Sequence, residues 1–259
     1  MTTRGLAVLG GLLALFLGLP IVALLARAVR TSGLAGDVLT ALALSLATTL
    51  IALAVILLLG TPLAWLLARR HFPGRGLVAA LVELPIVLPP AVAGLALLLL
   101  FGRSGPLGAP LAAAGLSLPF STAAVVMAQV FVSAPFYVSA ARAGFLSVPH
   151  ELEDAARIDG ASEWSVLRRV TLPLAAASLG AGAVMAWARA LGEFGATIMF
   201  AGNIAGVTQT LPLAVYSEFQ SDLDRSIAAA AILVLAALGI LLAVRFLDWR
   251  RAPASRSVM

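Results

Sequence analysis

The chain has 259 residues, of which 61% are apolar and 11% charged, and its mean hydropathy is +1.05. That leaves too little polar surface to cover a soluble globule, so the expected fold class is an all-α membrane protein with several transmembrane helices. There is no cysteine and no lysine, all 17 basic residues being arginine, which excludes disulfides, thiol chemistry and a phosphate-binding loop of the GxxxxGK[ST] type.

Six apolar segments follow one another, at about 5–28, 38–68, 77–101, 121–145, 172–200 and 227–247, each reaching the ~20 residues a bilayer crossing needs. The pI near 11.2 does not point to nucleic acid, because the arginines sit at the ends of apolar segments and form no basic face. With the N-terminus inside, twelve arginines fall on the cytoplasmic side and four outside (Arg27, Arg30, Arg103 and Arg225), with Arg189 within a span. The excess predicts a multi-pass protein of the cytoplasmic (inner) membrane with both termini in the cytoplasm.

The first segment also fits a cleaved signal, with Arg4 ahead of it and Ala26-Arg27-Ala28 behind. Its apolar run from Gly5 to Ala26 exceeds the ~7–15 residues of a signal core, and a retained span is expected. The loop through Arg69, Arg70, His71 and Pro73-Gly74-Arg75 reads as a short basic connector. Neither His71 nor His150 stands in an HExxH spacing, and no metal site is expected. The third segment, ELPIVLPPAVAGLALLLLF, carries Pro85, Pro89 and Pro90. Prolines remove backbone donors and bend helices, so this stretch is either a packing kink or a wall of a pathway or gate. Beyond it, Gly102 to Pro106 is a turn, with a short surface helix before Pro119.

Pro149 to Pro173 is a long polar interval between two apolar segments. Glu151, Glu153 and Asp154 place negative charge at a helix start, which the backbone dipole favours. Gly160, after Asp159, stops that helix by taking a left-handed conformation, and Ser162, after Ala161, caps a second one. Leu172-Pro173 then returns the chain to the membrane. The expected product is a hydrophilic elbow of two short helices with an apolar face.

The fifth segment contains Gly182, Ala186 and Ala190 at four-residue spacing, a stripe that suits a helix or subunit interface. Arg189 and Glu193 are also four apart and can pair within the membrane. The pair is either a neutralised brace or part of a water-filled route. Gly192-Glu193-Phe194-Gly195-Ala196-Thr197 interrupts the span, and the hydroxyl and amide groups of Thr197, Asn203, Thr208 and Thr210 can either donate to a passing oxyanion or solvate a loop. Glu218, Asp222 and Asp224 make the last external loop acidic, and the end of the chain to Met259 reads as a disordered tail.

Two runs resemble a known family. Asp154-Ala155-Ala156, Gly160 and Leu172-Pro173 resemble the EAA loop of the membrane subunits of bacterial ABC importers, with Asp154 where the pattern usually has Glu. Leu84-Pro85-Ile86-Val87-Leu88-Pro89-Pro90 and ARALGEFGATIMFAGNIAGVTQTLP (188–212) resemble the molybdate permeases, and more distantly the sulfate permeases, over about residues 38–247. The resemblance implies a type I ABC importer transmembrane domain. It implies a first transmembrane helix and external loop at 1–37, a core permease domain at 38–248 containing the coupling elbow 149–173, and a cytoplasmic tail at 249–259.

It further implies that Glu153, Asp154, Ala155, Ala156, Asp159, Gly160, Ala161, Leu172 and Pro173 couple to an ATPase. Pro85, Pro89, Pro90, Arg189, Glu193, Phe194, Gly195 and Thr197 would line the pathway or gate. Implied partners are a second copy of the chain, two ATPase subunits and an external oxyanion-binding protein. ATP and Mg would be bound by the ATPase, with no cofactor in this chain and no catalysis by it. Molybdate or tungstate is the expected cargo and sulfate or thiosulfate the alternative. An ion-driven carrier would have to rely on Glu83 or Glu193, and an intramembrane hydrolase has no Ser/His or paired-Asp constellation to use.

Overall fold

The computed structural model describes residues 3–30 and 36–251, with Arg4, Gly36 and 243–251 by backbone alone, and among these residues every regular element is helical. Five stretches are long and apolar enough to cross a membrane, Gly5–Ala28, Asp37–Arg69, Thr122–Ser147, Glu163–Leu191 and Leu223–Leu242. A sixth crossing exists only if Arg75–Val87 and Pro90–Phe101, bent by 120°, count as one.

Two expected segments therefore differ from straight spans. The third breaks into α3 (Arg75–Val87) and α4 (Pro90–Phe101), following α1 (Thr3–Ala28) and α2 (Gly36–Arg69). Pro85 lies inside α3 without ending it. The break comes where two residues in turn precede a proline: Leu88 has ψ 134° and Pro89 ψ 133°, because a following proline ring pushes a residue out of the helical region. Pro90 then opens α4 at the position where its missing N–H costs nothing.

The fifth segment is shifted as well as broken. After α5 (Gly108–Ala113) and α6 (Thr122–Leu146), the elbow helices α7 (His150–Ile158) and α8 (Glu163–Val166) lead into a π-helical turn at Leu167–Thr171, which runs straight on into α9 (Leu172–Leu191). Leu172-Pro173 thus does not separate the elbow from the membrane. The ring of Pro173 would collide with the carbonyl of Arg169 in a regular helix, and the widened turn falls where that carbonyl lies. The helix stops at Leu191 and resumes as the short α10 (Gly195–Phe200), ahead of α11 (Leu211–Ser221) and α12 (Leu223–Arg251).

The described chain divides into two compact units, one of residues 44–208 and one of residues up to 43 together with those from 209. In the first, α6 is the central helix. Tyr137, Val138, Ala141 and Phe145 pack with Ile56, Ala64 and Leu67 of α2 and with Ala175 and Ala186 of α9. Val125, Ala128 and Val132 pack with Ala93, Leu97, Ala196 and Phe200 of α4 and α10. The small-residue stripe serves this interior: a Cβ on Gly182 would come 2.8 Å from the Cβ of Ala140, and one on Gly144 2.5 Å from the Cβ of Ser178. Of the two interfaces the stripe could serve, the observed one is between helices of the same chain. Polar bonds add register, Gln129 Nε2 donating to Thr48 Oγ1 at 3.2 Å and Thr61 lying 2.6 Å from the Tyr137 hydroxyl.

In the other unit, Val38 and Ala41 pack with Leu211, Ala214 and Ala229. Ser226 ties α12 to α11 through a 3.0 Å bond to the Val215 carbonyl. Arg27 of α1 lies 3.6 Å from Asp224 of α12. Of the expected tail, residues up to Arg251 continue α12 and the remainder lies outside the described residues.

Candidate functional site

The elbow is built by local rules. Gly160 takes φ +84°, its N–H bonds the Arg157 carbonyl, and the Ala161 N–H reaches back to the Ala156 carbonyl, each at 3.0 Å. This paired closure is the glycine stop of a helix. Ser162 Oγ then accepts from the Ser165 N–H at 3.3 Å and starts α8. Arg157 holds the two short helices together, donating to Asp154 and to Glu163 at 2.7 Å each. Those contacts, the Glu163 hydrogen bond above all, hold the pKa of Arg157 above its ordinary value.

Two faces result. Outward, Leu152, Ile158 and Trp164 are 47%, 86% and 67% exposed, with Asp154, Ala155 and Asp159 also on the surface and Ala156 and Ala161 partly covered. Inward, Glu153 is 3% exposed. Thr171 Oγ1 donates to Glu153 Oε1 at 2.7 Å, Arg69 Nη2 lies 3.2 Å from the same oxygen, and that nitrogen also donates to the Val148 carbonyl at 2.8 Å. A carboxylate taken out of water costs several kcal/mol unless it is paired and hydrogen-bonded, and these partners supply both. Leu172 is partly covered and Pro173 exposed at the foot of α9.

The second cluster lies where the two broken helices meet. A Cβ on Gly94 of α4 would lie 2.6 Å from the Ala196 carbonyl oxygen of α10, and only glycine permits backbone to approach so closely. The Pro89-Pro90 break and the Gly192–Phe194 break, read separately in the sequence, are thus brought side by side. Glu193 fastens the second break. Its Oε1 accepts from the Ala196 N–H at 2.7 Å and its Oε2 lies 2.7 Å from Arg189 Nη1, so one carboxylate caps a free N–H at the opening of α10 and pairs with the charge of Arg189 in the last turn of α9.

Glu193 is 1% exposed on its side chain and Arg189 27%. The geometry gives the carboxylate a bracing part and leaves Arg189 as the less buried member of the pair. Pro85 and Thr197 are buried, Phe194 and Gly195 partly covered, and Pro89 and Pro90 exposed. Glu83 of α3 lies 3.6 Å from Arg142 of α6.

The model of the binding-protein-dependent transport system inner membrane component family matches residues 60–250. The chain belongs to that family. As a member it is a non-catalytic, multi-pass membrane permease subunit. It is 45% identical over 205 residues to the molybdenum transport system permease protein ModB of Mycobacterium tuberculosis (strain ATCC 25618 / H37Rv), covering 79% of this chain and 78% of that protein. It is 42% identical over 204 residues to the probable transport system permease protein NifC of Clostridium pasteurianum, covering 78% and 71%. The sulfate transport system permease protein CysW of Escherichia coli (strain K12) is 41% identical over 215 residues, covering 83% and 74%.

Solved structures show the same fold at low identity. The bacterial alginate ABC transporter, crystallised with a pentasaccharide-bound periplasmic protein, aligns with TM-score 0.74 at 17% identity, over 99% of this chain and 96% of that one. The inward-facing MetNI methionine ABC transporter aligns with TM-score 0.62 at 19% identity, over 81% and 94%. The type I importer fold expected of this permease is the observed one.

Sequence reasoning missed two partners of Glu153, Arg69 at the end of α2 and Thr171 within the elbow. Arg69 reads as a topology signal, Thr171 drew no reading of its own, and no short spacing ties either to Glu153. The arginine closing α2 and the widened turn before Pro173 are the only local marks they leave.

Proposed function

We propose that this permease works as a homodimer that carries molybdate, with tungstate as a second cargo, inward through a pathway between its two copies. An external binding protein delivers the anion, and two separate ATPase subunits bind ATP and Mg and grip the two elbows. ATP binding draws the elbows together, and the membrane helices respond as rigid bodies between inward-facing and outward-facing arrangements. The exposed apolar patch of Leu152, Ile158 and Trp164 on a polar elbow carries this reading, since it needs a partner on the side away from the membrane. Asp154, Ala155, Ala156, Asp159, Gly160 and Ala161 shape that contact. The paired breaks at Pro89-Pro90 and Glu193-Phe194-Gly195, with Arg189 beside them, supply the movable part of the pathway wall. Both termini lie in the cytoplasm in this reading, which the excess of arginine on that side supports.

The cargo assignment leans on relatives named as molybdenum permeases at 41–47% identity. Sulfate is the second reading, supported by the 41% identity to CysW. The test is uptake of labelled molybdate by the chain reconstituted with its ATPase and binding protein. Uptake that requires ATP and resists excess sulfate is the expected result. Competition by sulfate would change the cargo, and uptake without any ATPase that follows an ion gradient would overturn the importer reading.

A further inference from the structure

The contacts around Glu153 join three segments that the chain order keeps apart: the cytoplasmic end of α2 through Arg69, the first elbow helix through Glu153 itself, and the foot of α9 through Thr171. Arg69 extends the joint to the chain just before the elbow by its bond to the Val148 carbonyl. Arg69 and Glu153 have side chains only 5% and 4% exposed. The Thr171 hydroxyl is carried by the last residue of the π turn and lies 3.5 Å from the Val166 carbonyl as well as 2.7 Å from Glu153. A buried charge with hydrogen bonds from two directions restrains its surroundings, because losing those bonds is costly away from bulk water; Arg157 and His150 stand farther off, 4.0 and 3.8 Å from the other carboxylate oxygen.

We propose that Arg69, Glu153 and Thr171 are the joint through which force applied to the elbow reaches α2 and α9 together, so that all three are positioning residues for transport. Glu153 then acts within the chain and not by touching the ATPase. The inference rests on the importer reading for its consequence in transport, but the rigidity of the joint can be measured without it.

Thr171→Val keeps the shape of the side chain and removes the hydroxyl, whereas Thr171→Ser keeps the hydroxyl and removes a methyl group. In the reconstituted complex, molybdate carried per ATP hydrolysed should fall about fivefold in Thr171→Val, the scale of one hydrogen bond, and further in Glu153→Gln. Thr171→Ser should stay near wild type. Since the chain has no native cysteine, spin labels on Glu151→Cys of α7 and Leu66→Cys of α2, both exposed, report the distance from elbow to α2. In the permease alone that distance should be narrowly distributed in wild type and Thr171→Ser, and should broaden or change in Thr171→Val.

A Thr171→Val protein with wild-type coupling and an unchanged distance overturns the joint, as does Thr171→Ser being the worse of the two. A wild-type complex that takes up no molybdate counts against the cargo reading alone, and the label distances still decide the joint.

Discussion

Gly195 sits directly against Pro90: a Cβ built on the glycine would lie 2.8 Å from the Cβ of the proline and 3.2 Å from the backbone nitrogen of Ala91. Together with Gly94 against Ala196, this makes the meeting of α4 and α10 a contact of backbones. The positions therefore differ in what they tolerate. Gly94→Ala drives a methyl group into the Ala196 carbonyl and should cost about 1–3 kcal/mol, the range for overpacking. Gly10→Ala on α1, where no atom lies within 4 Å, should cost nothing measurable. Thermal unfolding of the purified permease in detergent distinguishes the two.

Gly160 has open space around it and a φ of +84°, so backbone strain and not collision limits substitution. Gly160→Val should lose about 1–2 kcal/mol of local stability from the left-handed conformation, whereas Gly160→Asn should lose less, since asparagine visits that region. The expected outcome for Gly160→Val is normal membrane insertion with ATP hydrolysis partly uncoupled from uptake. Coupling equal to wild type would remove the elbow from the transmission.

Glu193→Gln retains an acceptor for the Ala196 N–H and loses the charge that faces Arg189. Breaking a fully buried pair costs about 3–5 kcal/mol, and with Arg189 at 27% exposure the loss should fall below that range. Uptake should drop, and Glu193→Ala, which also loses the bond at the opening of α10, should be worse. Equal behaviour of the two variants would show that the hydrogen bond to Ala196 contributes nothing.

Trp164 is 67% exposed, so Trp164→Ala should change the permease's own stability by no more than about 0.5 kcal/mol. As an aromatic anchor at a subunit contact it should weaken binding of the ATPase by about 2 kcal/mol, close to thirtyfold in Kd. Titrating the ATPase onto the permease in detergent reads this directly.

The elbow was legible because its signals are local. Gly160 after Asp159, and Ser162 before α8, are decided by the few residues on either side, and both took the expected conformations. The proline run likewise announced a bend, since each proline constrains its own neighbour. What the sequence could not say was that this bend meets the break at Gly192–Phe194, because proximity between distant segments leaves no spacing to read. The small-residue stripe was ambiguous for a related reason: Gly182 and Ala186 permit close approach without naming the partner, which proved to be α6. The helix running from Glu163 to Leu191 was hidden by Pro173, a residue that ends helices unless the preceding turn widens.

The contact between α4 and α10 has a mechanical consequence. Most helix contacts can adjust by rotating side chains, so a small push is absorbed locally. Gly94, Gly195 and Ala196 offer no rotamers, and a displacement of one broken helix must either be passed whole to the other or part them along a smooth plane. Slack at that plane would be nearly absent, so a push of one break against the other would be passed on, while a pull would part them.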